Sequence, residues 1–328
     1  MNKIIRFLAI LICMLAILAS CAPRYNKTLK DCSDDNYLYL IAGFDDAAEN
    51  TDVLFTIGYE KSTNTTKIAQ IPRDTYVNFG ASQNKINQYF ATKRYAGEDK
   101  STAMESTANM IEELFGTKFD GYVGINLSAF KKMVDALGGI DISVPSDMTV
   151  SIDGESPLYL KSGLNHINGA DAEKFVRYRS GYVMGDLGRI DAQKIFLNAL
   201  FGKIMGNMTF PTILKLAGAL QNECITNIRL KDITGVLLGA AGAASTRSTF
   251  YVTVPGEPAF NSRGVSFYVL NRKYAAEIAK RYMFAKKDFD ERRLFLNDDE
   301  LSFMNIYDDD KFSYRELTPD DITHMHIS

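Results

Sequence analysis

Short apolar runs alternate with amphipathic stretches along the chain, and the two patterns predict different elements. The runs are rich in β-branched and aromatic residues and are followed by turn-forming or charged residues, as buried strands are. They predict strands at "NYLYLIAG" near residues 37–44, "DVLFTIGYE" at 52–60, "TKIAQIP" at 66–72, "IDISVP" at 140–145 and "TFYVTVPG" from residue 249.

Helical periodicity of apolar residues predicts helices between these runs. The predicted helices span residues 102–115, 126–139, 168–176 and 188–205, "LKDITGVLLGAAGAA" from residue 230 and "NRKYAAEIAKRYMF" from residue 271. The clearest is 126–139, where Asn126 can cap the N-terminus and Gly138 and Gly139 end the helix. Strands that alternate with helices favour an α/β layered fold around one central sheet.

The N-terminus has the pattern of a targeting segment. Lys3 and Arg6 precede an apolar stretch over residues 7–18, which ends in "LASC" at Cys21. This pattern predicts a lipoprotein signal peptide over residues 1–20, lipidation of Cys21 and a polar tether over residues 21–36. A plain secretory signal, or an uncleaved anchor with an incidental cysteine, is the alternative. Each of these puts the remaining chain outside the cytoplasm.

The composition is that of a globular protein without a general basic surface for nucleic acid. The 328 residues are 46% hydrophobic and 23% charged, with a formal net charge of −3. The main domain is predicted over residues 37–285. Residues 286–328 carry twelve acidic and six basic residues, which predicts an acidic C-terminal tail that is either mobile or a small peripheral element.

The few cysteines and histidines give little indication of a disulfide framework, a metal site or a catalytic base. Beyond the signal and Cys21 there remain Cys32 and Cys224, and the sequence leaves open whether they pair. His324 and His326 either chelate a metal or stand together by chance in the tail. With only these two and His166, a histidine base is not expected.

Three arginines lie close together in "FVRYRSGYVMGDLGRIDAQ", residues 175–193. If residues 175–179 are extended, Arg177 and Arg179 point to the same side, and in a following helix Arg189 and Gln193 share one face. Guanidinium groups that converge in this way match the oxygens of a phosphate. The alternative is that each arginine pairs with a nearby carboxylate, such as Asp186, Asp191 or Glu173.

Two further clusters follow predicted strands. Asp45 and Asp52 flank a loop between the first two strands, where carboxylates suit a hard divalent cation or are ordinary turn residues. Arg73 follows a strand end in "QIPRDTYVN", at the sheet edge where α/β proteins bind ligands, and Lys85 comes shortly afterwards. The alternative for both cations is a solvated surface charge.

Several longer motifs together resemble the LytR-CpsA-Psr family. They occur in that family's order and spacing, strongly over residues 37–205 and more loosely to about 285: "IPRDTYV", "KINQYF", "NLSAFKKMVDALGGIDISVP", "GLNHINGADAEKFVRYR" and "GDLGRIDAQKIFLNAL". The resemblance implies a layered α-β-α fold with one central mixed sheet and an apolar cleft for a polyprenyl chain. It also implies transfer of a glycopolymer from a polyprenyl-pyrophosphate carrier to peptidoglycan at the outer face of the membrane.

The resemblance also implies site residues. By motif, Arg73, Arg177, Arg179 and Arg189 are catalytic, and Lys85 and Gln193 bind the substrate. Asp45 and Asp52 match the aspartates that hold Mg²⁺, or Mn²⁺ in its place. The family usually has an arginine where this chain has Asn50, so one cation near the phosphates is missing. Many members also carry a transmembrane anchor, whereas this chain has the lipoprotein pattern.

Mg²⁺-dependent phosphotransfer of a glycopolymer is therefore the function that the sequence predicts. Arginines and a metal ion stabilise a pyrophosphate by preorganised charge. Two alternatives stay open: a non-catalytic lipoprotein that binds polyprenyl phosphate, and a pyrophosphatase that acts on the same carrier with water as acceptor. A lipid anchor at Cys21 suits each, because the donor is itself bound to the membrane.

Overall fold

The computed structural model describes most of the chain between residues 36 and 325. The described ranges are 36–45, 50–60, 62–80, 84–182, 185–207, 215–216, 218–220, 223–228, 248–261, 263–290 and 314–325. The predictions for the signal peptide, Cys21, Cys32, His326 and the helix from residue 230 lie outside these ranges.

Strands and helices alternate as the apolar pattern predicts. The strands are β1 (Asn36–Phe44), β2 (Thr51–Glu60), β3 (Thr65–Ile71), β4 (Gly121–Asn126), β5 (Ile140–Val144), β6 (Met148–Val150), β7 (Leu158–Leu160), β8 (Gly163–Ile167), β9 (Cys224–Thr226), β10 (Ser248–Thr253), β11 (Gly256–Phe260) and β12 (Ser266–Leu270). The α-helices are α1 (Tyr89–Tyr95), α2 (Lys100–Phe115), α3 (Leu127–Ala136), α4 (Gly169–Arg177), α5 (Asp186–Asn207), α6 (Arg272–Tyr282) and α7 (Pro319–Thr323), and a 3-10 helix spans Ile86–Gln88.

A six-stranded mixed sheet forms the centre of the fold, in the order β10-β3-β2-β1-β4-β9. The pairs β1–β2, β2–β3 and β4–β9 are antiparallel, whereas β1–β4 and β3–β10 are parallel. The predicted central mixed sheet is thereby confirmed. The predicted strand at 140–145 forms as β5, but it pairs with β8 in a separate two-stranded sheet.

Alternation along β1 separates two apolar cores on opposite faces of the sheet. Leu38 and Leu40 belong to the core that α2 and α6 cover. Tyr39 and Ile41 pack against the other core, which α3, α4 and α5 cover. Helices on both faces of one sheet give the layered α-β-α architecture that the sequence predicts.

Local capping sets the helix ends. The side chain of Asn126 accepts a hydrogen bond from the amide of Ala129 at 2.7 Å, so α3 begins where predicted. Helix α2 ends at Gly116, whose φ of +65° is the left-handed conformation that glycine adopts without a Cβ penalty. The amides of Lys286 and Lys287 both donate to the carbonyl of Gly116 at 3.1 Å, which fixes the chain after α6 to the end of α2.

The C-terminal segment, residues 314–325, packs against the edge of the central sheet. Leu317 and Tyr251 of β10 exchange two backbone hydrogen bonds of 2.8 and 2.9 Å. Helix α7 then contacts α5, where the side-chain amide of Asn198 donates to the carbonyl of Pro319 at 3.2 Å. Part of the region predicted as an acidic tail is therefore docked. In the described ranges, no helix has both the length and the apolar character that a membrane crossing requires.

Candidate active site

An apolar cavity of about 220 Å³ lies between the central sheet and helices α3 and α5. Strands β1, β2 and β4 form one wall, and the two helices form the other. The apolar lining includes Ile41, Val53, Phe55, Ile57, Val123, Ile125, Leu127, Phe130, Met133, Phe196, Leu197, Leu200 and Phe201. This is the apolar cleft that the family resemblance implies.

Polar side chains from separate parts of the chain line the same cavity, and we call them the polar end. They are Asp45, Asp52, Arg177, Arg189 and Gln193. The two aspartates meet because β1 and β2 pair up to Phe44 and Thr51, where the strands end. The predicted convergence of acidic and basic residues around one space is thus present for these five.

Arg73 reaches the polar end through Asp52. Its Nη1 atom donates to Oδ1 of Asp52 at 2.8 Å, and its Nε atom lies 3.9 Å from Oδ2 of Asp74. Nζ of Lys85 lies 3.1 Å from Oδ1 of Asp74. Four charges of alternating sign therefore extend outwards from the cavity, and the surface-charge alternative does not describe Arg73 or Lys85, both of which are mostly buried.

Arg177 combines both arrangements that the sequence leaves open. It lines the cavity, and its Nη1 atom also donates to Oε1 of Glu173 at 2.7 Å within α4. Glu173 accepts a second ion pair from Nζ of Lys131 at 2.7 Å. Glu155 lies 3.6 Å from the same guanidinium group. Because Glu173 holds it from one side, the cation is already oriented before a ligand binds.

Arg189 and Gln193 lie one turn apart on α5, as predicted, and both are buried. Gln193 accepts a 2.6 Å hydrogen bond from Nε2 of Gln70, and its own Nε2 donates to the carbonyl of Val176 at 3.2 Å.

Arg179 does not join the polar end. Helix α4 continues to Arg177, and the backbone becomes extended only at Tyr178. Residues 175–179 are therefore not one extended segment: the helix predicted over 168–176 forms as α4 and carries Arg177 to the cavity, and Arg179 lies exposed beyond its end. Burial raises the pKa of the nearby Tyr182 well above its ordinary value, so its phenol stays protonated.

The donor set at the polar end fits a Mg²⁺ ion that is shared with a phosphate ligand. Asp45 and Asp52 both line the cavity, and the amide of Asp45 closes the loop by donating to the carbonyl of Asn50 at 2.9 Å. Across the described ranges, no group of three or more His, Cys, Asp or Glu side chains forms a metal cage by itself. Mg²⁺ typically takes one or two carboxylates and completes its shell with water and phosphate oxygens.

The described histidines lie away from this site. Nδ1 of His166 lies 2.6 Å from Asp141 on the exposed two-stranded sheet, and the hydrogen bond from His166 lowers the pKa of Asp141. His324 lies near Asp320 on α7. Neither His166 nor His324 lines the apolar cavity.

Sequence reasoning missed Gln70, named Glu173 only as one of several possible arginine partners, and named Asn126 only as a helix cap. Gln70 and Glu173 fix Gln193 and Arg177, and Asn126 lines the cavity besides capping α3. The signal for Gln70 is a polar residue within the apolar run "TKIAQIP", where burial demands a partner. The sequence does not reveal which partner, because Gln193 is 123 residues away.

Known proteins are similar to this chain in sequence and in fold. The LytR_cpsA_psr family matches residues 20–283. The polyisoprenyl-teichoic acid–peptidoglycan teichoic acid transferase TagV of Bacillus subtilis is 30% identical over 213 residues, which are 62% of this chain and 52% of TagV. A second transferase with the same description, TagT of Bacillus subtilis, is 26% identical over 262 residues, which are 76% of this chain and 77% of TagT.

The solved structures agree on the fold. The crystal structure of Bacillus subtilis TagV has a TM-score of 0.60 at 23% identity and covers 77% of this chain and 99% of that one. TagT bound to LIIa-WTA has a TM-score of 0.58 at 23% identity and covers 83% of this chain and 94% of that one. Since the family match spans most of the chain and the fold agrees, this protein belongs to the LytR_cpsA_psr family.

Proposed function

We propose that this protein transfers a phosphorylated glycopolymer from a polyprenyl-pyrophosphate carrier to a hydroxyl group of peptidoglycan. The observation that carries the proposal is the apolar cavity, whose lining also contains Asp45, Asp52, Arg177 and Arg189. A polyprenyl pyrophosphate combines the same two properties, a long apolar chain and a compact dianionic group. The names of the relatives TagV and TagT, which describe teichoic acid transfer to peptidoglycan, support this choice.

The reaction is a substitution at the phosphorus that carries the glycan. The acceptor hydroxyl oxygen supplies an electron pair and forms a new P–O bond to that phosphorus. The bond from the same phosphorus to the bridging oxygen breaks, and its electron pair stays on the departing polyprenyl phosphate. The hydroxyl proton is released to water. The products are a glycan joined to peptidoglycan by a phosphodiester and a free polyprenyl phosphate.

The chain's own residues supply charge and orientation. Arg177 and Arg189 bind the pyrophosphate oxygens, and these contacts grow stronger as negative charge builds up on the leaving phosphate. The side-chain amide of Gln193, which Gln70 and Val176 hold in place, orients the pyrophosphate. Arg73 acts through Asp52, which it holds at 2.8 Å, and Lys85 acts through Asp74.

Asp45 and Asp52 would hold Mg²⁺, or Mn²⁺, against the pyrophosphate, and such an ion neutralises phosphate charge. One oxygen of Asp52 accepts from Arg73, and a carboxylate retains further lone pairs for a metal. Asn50 stands where the family usually has arginine, so a metal ion held by Asp45 and Asp52 would supply a larger share of the charge compensation in this protein. Arg179, exposed beyond α4, has a lesser role in holding the carrier.

The protein acts outside the cytoplasm, where its acceptor lies. The signal pattern ending at Cys21 supports a lipid anchor in the outer face of the cytoplasmic membrane. An anchored enzyme and a membrane-bound donor meet in two dimensions, which raises their effective concentration.

The test is product analysis with the full chain in detergent micelles. Labelled polyprenyl-pyrophosphate glycan, purified peptidoglycan and Mg²⁺ are incubated with the protein, and the label is followed into the wall polymer. We expect the label on peptidoglycan together with an equal amount of polyprenyl phosphate. Release of free phosphoglycan without attachment identifies a pyrophosphatase instead, and unchanged donor identifies a binding protein.

A further inference from the structure

A second, polar pocket of about 710 Å³ lies beside α5, on the side away from the apolar cavity. Its walls come from α5, from the chain around the start of β11, and from the C-terminal segment. The volume lies within the range of about 300–1,000 Å³ that small-molecule sites occupy. The C-terminal segment, which forms the outer wall of the pocket, lies beyond residue 283, where the family match ends.

The polar pocket and the polar end share walls. On α5, Arg189 and Gln193 line the cavity, while the residues next to them, Ile190 and Lys194, line the polar pocket. A second link passes through Tyr268, which lines the polar pocket and whose amide donates to the carbonyl of Asp74 at 2.8 Å. Asp74 in turn lies next to Arg73, the partner of Asp52. A ligand in the polar pocket is thus separated from the phosphate-binding side chains by one layer of residues.

The polar pocket contains charges of both signs, from three carboxylates and two permanent cations. Lys194 lies 3.0 Å from Asp191, and Arg315 lies 2.9 Å from Asp321. Asp320 and His324, from the same wall as Asp321, also line the pocket. This arrangement offers paired donors and acceptors, and its carboxylates outnumber its permanent cations by three to two.

Paired donors and acceptors without an excess of positive charge favour a neutral ligand that is rich in polar groups over an anion. An anion such as a phosphate would meet Asp191, Asp320 and Asp321, and like charges at short distance repel. A saccharide unit with hydroxyl and acetamide groups donates to carboxylates and accepts from Lys194 and Arg315. The exposed ring faces of such a unit also suit a wall that contains tyrosines.

We propose that the polar pocket binds an amide-bearing saccharide unit of the acceptor glycan, other than the unit whose hydroxyl reacts, one layer of residues away from the phosphate-binding side chains. This acceptor subsite rests on the proposed transfer reaction, because it assigns a place to that reaction's second substrate. It gives the C-terminal segment a function: the backbone pairing of Leu317 with Tyr251 holds α7 in position as the outer wall of the subsite.

The test removes polar groups from the outer wall without touching the apolar cavity. The pocket variant is Asp320→Ala with His324→Ala, two exposed side chains on α7. Its matched control is Asp141→Ala with His166→Ala, an exposed pair of the same residue types on the two-stranded β5–β8 sheet. Thermal unfolding verifies that both proteins fold like the wild type.

Two measurements use these proteins with a soluble peptidoglycan glycan fragment that lacks peptide stems. In the transfer assay, we expect the pocket variant to raise the KM for the fragment about tenfold, as the loss of two hydrogen-bonding groups does, while the KM for the donor is unchanged. The control variant keeps both constants. In ligand-observed NMR without donor, we expect the fragment to give a binding signal with the wild type and with the control. With the pocket variant, most of this binding signal should be lost.

The outcomes separate the two proposals. An unchanged fragment KM and an unchanged NMR signal in the pocket variant overturn the acceptor subsite while transfer itself stands. Wild-type protein that never consumes donor overturns the proposed function, and the NMR arm then decides whether the polar pocket binds saccharide. Failure of the stem-free fragment to bind the wild-type protein overturns the assignment to a saccharide unit.

Discussion

Nε2 of Gln70 donates a hydrogen bond of 2.6 Å to Oε1 of Gln193, and both side chains are buried. This bond joins strand β3 to helix α5 beside the polar end. Gln193 is held from the other side as well, because its Nε2 donates to the carbonyl of Val176, the residue before Arg177. One amide is therefore fixed between the two helices that present Arg177 and Arg189.

Replacing both Gln70 and Gln193 with leucine should restore stability without restoring transfer activity. Gln70→Leu leaves a buried carbonyl oxygen without its donor, which costs about 1–3 kcal/mol in the free energy of unfolding. The double variant Gln70→Leu/Gln193→Leu removes both partners, so we expect most of the stability to return while transfer stays low. Denaturant unfolding and the transfer assay measure the two properties. Native transfer by the double variant would show that Gln193 does not bind the donor.

Arg177 and Arg179 should differ in their effect on donor binding. Arg177 lines the apolar cavity, whereas Arg179 is exposed beyond the end of α4. We expect Arg177→Ala to raise the donor KM about tenfold or more, since a charge-assisted hydrogen bond contributes about 1.5–3 kcal/mol. Arg179→Ala serves as the matched control, with a change several times smaller. Equal losses in the two variants contradict the orientation of α4 described above.

Most of the central sheet was predictable from the sequence because its strands are apolar runs. Strand β4 was not, since "GYVGIN" contains two glycines that interrupt the pattern. The structure explains them by packing: the ring of Phe44 covers Gly124 so closely that an added Cβ would lie 2.4 Å from it. The ring of Phe44 thus occupies the space that a side chain at Gly124 would take. Because the two residues are far apart in sequence, this packing leaves no periodic pattern of apolar residues in β4.

The candidate site was predictable only as far as its motifs extend. Asp45, Asp52, Arg189 and Gln193 were found from motif and spacing, and all four line one cavity. The position of Arg179 was not, because it depends on the residue at which α4 ends. The polar pocket was also hidden, since the docking of the C-terminal segment depends on long-range pairing with β10.

Loss of the Asp52 carboxylate should change the response to Mg²⁺. Asp52→Asn keeps the size of the side chain but removes a negative charge that Arg73 and a metal ion would share. We expect the Mg²⁺ concentration for half-maximal transfer to rise about tenfold. Thermal stabilisation by Mg²⁺ with polyprenyl phosphate should weaken in parallel. The control is Asp147→Asn, which removes an exposed partner of Lys161. An identical Mg²⁺ response in Asp52→Asn and wild type contradicts the metal assignment.

A bulky residue inside the apolar cavity should discriminate between carriers by chain length. Ile125 at the end of β4 lines the cavity, and Ile125→Trp fills part of its volume. We expect weaker binding of a long polyprenyl phosphate, with little change for a short-chain analogue, measured by displacement of a fluorescent polyprenyl probe. Leu164→Trp on the exposed face of β8 is the control. Overpacking costs about 1–3 kcal/mol, so unfolding is measured alongside. Unchanged affinity for the long carrier in a folded Ile125→Trp protein contradicts lipid binding in this cavity.

Stability on the acid side should depend on a carboxylate near the start of α3. Glu223 forms an ion pair with Lys132 and also accepts a 3.5 Å hydrogen bond from the side chain of Asn126. The hydrogen bond from Lys132 is the main cause that lowers the pKa of Glu223 below its ordinary value of 4.5, and Asn126 lowers it further, against a partial desolvation that raises it. Because Asn126 caps α3 and lines the apolar cavity, this carboxylate supports the site's geometry.

The sign of the effect follows from the lowered pKa. A carboxyl group that is more acidic in the folded state stabilises the protein above its unfolded pKa, and this contribution disappears as the pH falls through the folded pKa. Glu223→Gln should therefore reduce the free energy of unfolding at neutral pH by no more than about 1 kcal/mol, as for other partly exposed ion pairs. The difference from wild type should shrink below the ordinary pKa of 4.5 and vanish at lower pH. Urea unfolding across this range measures it, with Lys132→Gln as the matched variant that removes the other partner. A Glu223→Gln deficit that stays constant down to the acid limit would mean that Glu223 acts through packing and not through its charge.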